Sequence, residues 1–177
     1  MYALVKFIGH IYFLILPAIA GAVLNMVFVK LPVLKSCQIP MDGGKKLKDG
    51  KRIFGDNKTW KGFFGMIVLT ALAAVVFWRH AFTYSFLRGA WLGFAYVLFE
   101  LPNSFIKRRL NKQPGTNGGA VQTFFDQADS VIGCMICLPL IYPLTLTEAM
   151  GIFVVATGTH YVFNILLYYM RLKNQKG

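Results

Sequence analysis

E-L-P-N-S-F-I-K-R-R-L-N-K-Q-P-G-T-N-G-G-A-V-Q-T-F-F-D-Q-A-D-S, residues 100–130, lies between two strongly apolar segments. It contains three of the seven acids in this 177-residue chain and four of its nineteen Lys and Arg. Charges in that position belong at or near a membrane surface. Asp126 and Asp129 are three residues apart, so on a helix both carboxylates share one face. Two hard oxygen donors at that spacing suit Mg²⁺, which takes one or two carboxylates together with substrate phosphates. A solvated helix end, or pairing with a loop Lys, would use the same two acids more simply. Lys107 and Arg108 upstream offer positive charge to phosphate oxygens. Gly115, Gly118 and Gly119 let the backbone between turn sharply or approach a ligand closely.

Composition bounds the class. The chain is 56 % hydrophobic and 15 % charged, with a mean hydropathy of +0.53. A soluble domain averages about 25 % charged residues, so this is the composition of a membrane protein. The net charge of +12 gathers in loops between apolar spans. No aromatic-basic or helix-turn-helix pattern accompanies it, so a nucleic-acid partner is not expected. Cys134 and Cys137 form a C-x-x-C inside an apolar run, and no further Cys/His pair accompanies them. Small packing residues are the simpler reading.

The apolar runs predict an all-α integral membrane protein, a single domain with about five transmembrane helices. The spans fall at 8–29, 62–78, 89–105, 131–146 and 147–170, with basic loops at 30–61 and 106–129. The first run is too long for a signal peptide's apolar region and reads as a retained anchor. Residues 81–88 read as a connection. Pro102 removes a helix donor just after Glu100, which predicts a break or kink there. Thr145-x-x-Glu148 has the spacing of a capping box and should open the fifth helix. On that helix Thr157, His160 and Asn164 share a face, either lining a polar cavity or bonding neighbouring helices.

Loop 30–61 carries nine Lys/Arg against three Asp, with turn signals at Asp42-Gly43-Gly44, Asp49-Gly50 and Gly55-Asp56. Lys and Arg gather on the cytoplasmic side of any membrane protein. Placing both loops and the C-terminus together puts sixteen Lys/Arg on one side and three on the other. The N-terminus is then outside the plasma membrane, and both loops and the C-terminus are cytoplasmic.

The polar pattern resembles the signature of the membrane CDP-diacylglycerol synthases, the CTP:phosphatidate cytidylyltransferases. In that family a carboxylate stands four residues before the Ser of S-x-x-K-R, and a Gly-rich loop leads to D-x-x-D-S. Glu100, Ser104, Lys107, Arg108, Asp126, Asp129 and Ser130 fill those places, with Glu100 replacing the usual Asp. The small chain and G-K-R-I-F-G-D-N-K-T-W-K-G at 50–62 are more similar to the archaeal branch, the CDP-archaeol synthases. The resemblance implies transfer of CMP from CTP to a lipid phosphate, with Mg²⁺ as cofactor and CTP, the lipid phosphate and membrane lipids as partners. It implies Asp126, Asp129, Lys107 and Arg108 as catalytic residues, and Asp126, Asp129 and Glu100 as metal ligands. Asn103, Ser104, Ser130, Lys51, Arg52, Lys58, Thr59, Gly118 and Gly119 would contact substrate. Three alternatives share the same sequence: the same transfer to a diacyl lipid, a non-catalytic protein binding anionic headgroups, and a small transporter.

Overall fold

Five apolar runs become five long helices in the computed structural model, which describes residues 1–113 and 119–169. They are α1 (Tyr2–Lys30), α2 (Trp60–Trp78), α3 (Phe82–Arg109), α4 (Ala120–Cys137) and α5 (Leu146–Tyr169). Short 3₁₀ turns occupy Lys35–Cys37 and Leu138–Leu140. Among the described residues there is no strand, only isolated bridges pairing Pro40 with Thr59 and Lys46 with Arg52. α1 and α2 are long and apolar enough to cross a membrane. Large apolar side chains nevertheless face outward on all five helices, among them Leu24, Val76, Leu87, Ile136 and Val154. So much exposed apolar surface suits lipid rather than water.

Small residues let the helices approach. Gly89 and Gly93 of α3 lie against α2, where a Cβ on Gly93 would come within 2.8 Å of the Met66 carbonyl oxygen. Close backbone contact of this kind is the usual means of helix association in lipid. The core then fills with Ile11, Leu14, Met66, Leu92, Val131 and Ile152, at least one from each of the five helices.

Side chains also satisfy the backbone groups that prolines and helix ends leave unpaired. Pro17 lies inside α1 and has no N–H to give the Phe13 carbonyl. The Trp78 indole donates to that carbonyl instead, at 2.8 Å. Trp91 donates to the Cys137 carbonyl at the end of α4, at 3.0 Å. The buried Lys61 ammonium donates to the Val29 and Leu31 carbonyls at the end of α1. The Thr145–Glu148 box forms as its spacing predicts: Glu148 accepts from the Thr145 N–H at 2.8 Å, and Thr145 Oγ1 accepts from the Glu148 N–H at 3.2 Å.

Several boundaries differ from the sequence reading. Residues 82–88 belong to α3, not to a connection. α3 continues through Glu100 and Pro102 without breaking, because one missing donor leaves the other turns bonded. It runs to Arg109, and α4 starts at Ala120, so both ends of the loop expected at 106–129 are helical. The span expected at 131–146 is helical only to Cys137, with the Leu138–Leu140 turn after it. Pro139 and Pro143 cannot donate there.

Candidate active site

The helix pair α3 and α4 brings the charged residues of 100–130 together at one end of the bundle. Asn103 and Lys107, one turn apart on α3, face Asp126 and Asp129, one turn apart on α4. The Asn103 amide donates to Asp126 Oδ1 at 2.8 Å and to Asp129 Oδ2 at 2.7 Å. Lys107 pairs with Asp126. The Ser130 N–H donates to Asp129 Oδ1 at 2.6 Å. One amide nitrogen reaches both carboxylates, so the two stand close enough to serve one cation. This donor set fits Mg²⁺. Asn103 thus touches the acids directly in this structure.

Glu100 is placed differently from the expectation. It pairs with Lys58, whose ammonium comes from the loop before α2. Among the described residues, no three His, Cys, Asp or Glu side chains converge as a metal-binding group. Lys58 holds one Glu100 oxygen as Lys107 holds one Asp126 oxygen. Burial alone would lower the Lys58 pKa, but the Glu100 carboxylate outweighs it, with help from Asp129 and Asp126. The ammonium is held above its ordinary range and stays charged.

Arg108 and Ser104 lie on the buried side of α3, each 8 % exposed. Arg108 Nε and Nη1 have no hydrogen-bond partner among the described residues. A buried guanidinium with unused donors is prepared for an anion, since unpaired buried charge is costly.

The long loop before α2 is built around Asp42, whose carboxylate is fully buried. It accepts from the Gly44, Phe54 and Gly55 N–H groups and from two nitrogens of Arg52. Burial would raise the Asp42 pKa, but the Arg52 guanidinium and these three amides hold it well below the carboxylate range. Gly50 and Gly55 turn the chain with φ of 75° and 99°, where a side chain would strain. The loop straps onto the end of α3. Lys51 donates to the Arg109 carbonyl at 2.6 Å, and Arg109 pairs with Asp49 at 2.7 Å and donates to the Arg52 carbonyl.

Three residues expected to meet substrate therefore engage protein groups. Lys51 holds the end of α3, and Arg52 is shared between Asp42 and Asp56. Thr59 caps α2 by accepting from the Gly62 N–H at 3.2 Å. Gly119 precedes α4 with φ of 87°. Gly118 and the C-terminal segment 170–177 lie outside the described residues.

From the charged cluster a cavity of about 410 Å³ runs between α1, α3, α4 and α5. Glu100, Asp126 and Gln127 line its polar end; Ile15, Ile19, Val131, Leu138 and Ile152 line its length. Its walls are mostly apolar, so it suits a molecule with a charged head and a hydrocarbon body. His160, one of the face on α5 expected either to line a polar cavity or to bond neighbouring helices, lines it, whereas Tyr96 and Gln127 were not expected there. The signal lay in helical spacing, because Tyr96 is one turn before Glu100. Cys134 also lines the cavity, and all three cysteines are free.

Comparison with known proteins places this arrangement. The family model described as CarS-like, CDP-archaeol synthase, matches residues 1–176. A CDP-archaeol synthase of Methanoculleus marisnigri is 35 % identical over 150 residues, covering 76 % of this chain and 87 % of the relative. One from Pyrococcus furiosus is 33 % identical over 152 residues, covering 81 % and 86 %. A solved structure, described as an intramembrane enzyme for archaeal membrane lipids biosynthesis, superposes with a TM-score of 0.68. It is 24 % identical and covers 87 % of this chain and 92 % of its own, a likeness of fold.

Proposed function

This chain belongs to the CDP-archaeol synthase family, and we propose that it transfers CMP from CTP to a lipid phosphate resembling unsaturated archaetidic acid. The products are a CDP-lipid and pyrophosphate, for phospholipid biosynthesis. The observation that carries this reading is the apolar cavity ending at Glu100 and Asp126, beside Asp129, Lys107 and Arg108. A lipid phosphate has that shape, and Lys107, Arg108 and a cation held by the acids would answer its negative charge.

An oxygen of the lipid phosphate attacks the α-phosphorus of CTP. The bond from that phosphorus to the bridging oxygen of the β-phosphate breaks, and pyrophosphate leaves with the electron pair. The nucleophile is already anionic, so little proton transfer is needed. The difficulty is to hold two mutually repelling phosphates in line. Asp126 and Asp129 would hold Mg²⁺. A bound Mg²⁺ supplies positive charge to phosphate oxygens and a template for alignment. Asn103 keeps the two carboxylates together. Arg108 presents unused guanidinium donors to phosphate, a fork suited to two oxygens. Lys107 and Lys58 are cations that exchange a protein carboxylate for substrate phosphate. Ser104 and Ser130 lie beside this cluster as hydrogen-bonding groups. Lys51, Arg52 and Thr59 serve the reaction by fixing the loop that delivers Lys58, and Gly119 by opening α4.

We further infer that all five helices lie in the membrane, with the N-terminus outside and the charged loops cytoplasmic, where nucleotide is available. The positive-inside distribution supports this orientation. Purified protein with labelled CTP, Mg²⁺ and digeranylgeranylglyceryl phosphate should yield a labelled CDP-lipid. No product from folded protein would favour a lipid-binding role instead.

A further inference from the structure

The cavity wall carries one polar pair that the proposed transfer does not use. Tyr96 and His160 both line the cavity, from α3 and α5. The Tyr96 hydroxyl and His160 Nε2 are 2.8 Å apart, and the rings meet edge to face at 80°. Tyr96 is 9 % exposed, and its neighbours Leu92, Val131 and Ile152 are apolar and buried. A polar pair in such surroundings is costly to bury unless its hydrogen bonds are met.

Its depth in the cavity is specific. Tyr96 precedes Glu100 by four residues on one continuous helix. At 1.5 Å per residue the hydroxyl-bearing ring starts roughly 6 Å further from the charged end than Glu100 does. In a lipid phosphate, a few covalent bonds separate the phosphorus from the oxygens that join glycerol to its chains. With phosphate at the level of Glu100 and Asp126, those linkage oxygens fall at the level of Tyr96 and His160. Leu92, Leu138 and Ile152 add apolar wall that suits the chains.

We infer that Tyr96, oriented by His160, is a positioning residue that donates a hydrogen bond to a glycerol linkage oxygen of the lipid phosphate. With its proton on Nε2, the imidazole donates to the phenol oxygen. The Ser130 hydroxyl also lies against the phenol; with Ser130 and His160 both donating to its oxygen, the hydroxyl hydrogen is left for the cavity. Linkage oxygens of ethers and esters only accept, so a donor is what they require. The contact sets how far the lipid slides into the cavity, and so where its phosphate stops. This inference rests on the transferase reading of the same site.

The test is steady-state kinetics of the full-length protein in detergent, varying digeranylgeranylglyceryl phosphate and CTP separately. Tyr96→Phe should raise KM for the lipid about tenfold, the scale of one hydrogen-bonding group left unmet. KM for CTP should stay within about twofold, and kcat should fall less than the lipid KM rises. His160→Leu should do the same, and the double variant should be no worse than Tyr96→Phe, because both changes remove one linked contact. His160→Gln, which keeps a side-chain donor, should recover at least half of the lost lipid affinity. Unchanged lipid KM in both Tyr96→Phe and His160→Leu would overturn the inference while leaving the transferase reading intact. Equal effects on the two substrates would also overturn it. A wild-type protein that makes no CDP-lipid would remove the transferase reading and this inference together.

Discussion

At the scale of single residues, Asp129 is held by two neighbours at once. It shares the Asn103 amide with Asp126, and its other oxygen accepts from the Ser130 N–H. Asp129→Asn keeps the shape and removes the charge. Turnover should fall by roughly 10²-fold or more, the scale on which one charge-stabilising group acts. The variant should elute as a folded, monodisperse species in detergent. Full turnover would remove Asp129 from the proposed metal site. Much of this cluster was legible in the sequence, because three-residue spacing on a helix fixes which side chains share a face. The captures were not legible. Nothing in the sequence of Arg52 says that Asp42, ten residues earlier, will take its guanidinium. Nor does Glu100 announce that Lys58 will reach it across forty-two residues. Such pairings depend on how loops fold back, which local spacing does not encode.

At the scale of elements, two devices can be tested. Trp78 replaces the amide that Pro17 withholds from the Phe13 carbonyl, joining α2 to α1. Trp78→Phe keeps the apolar body and leaves that carbonyl unpaired. It should cost about 1–3 kcal/mol, read as a lower melting temperature in detergent. An unchanged melting temperature would show that the carbonyl finds another partner. The second device is the Asp42 hub of the basic loop. Its folded pKa is depressed by Arg52 and the loop amides, so its stabilisation is present above the unfolded value of about 4. That stabilisation is lost as pH falls through the lower folded pKa. Asp42→Asn should therefore melt below the wild type at pH 7, and the gap should narrow below about pH 4. A constant gap across that range would contradict the assignment. The helices themselves were readable from apolar runs, and the start of α5 from its capping box. The continuity of α3 through Pro102 was not, because proline's local cost was set against the packing of a whole helix. Gly89 and Gly93 hold that helix against α2, and their partner residues are far away in sequence.

At the scale of the whole molecule, the proposed orientation across the membrane can be tested with the cysteines. Cys37 is exposed on the basic loop, while Cys134 is buried and Cys137 is half-buried. A membrane-impermeant maleimide should label the protein in inside-out vesicles and leave it unlabelled in intact cells. Cys37→Ser should abolish that labelling. Labelling from the outer face would reverse the topology and put the site on the wrong side for nucleotide. Under the proposed orientation the cavity would lie in the membrane beneath the charged cluster, and lipid and nucleotide would reach it from different phases. The central claim is that this junction joins them covalently. The most direct measurement is thin-layer separation of product from purified protein, [α-³²P]CTP, Mg²⁺ and digeranylgeranylglyceryl phosphate, with EDTA and phosphatidic acid in parallel. The expected product is a labelled CDP-lipid from the prenyl ether substrate, abolished by EDTA. Folded protein that gives no Mg²⁺-dependent product from either lipid would contradict it.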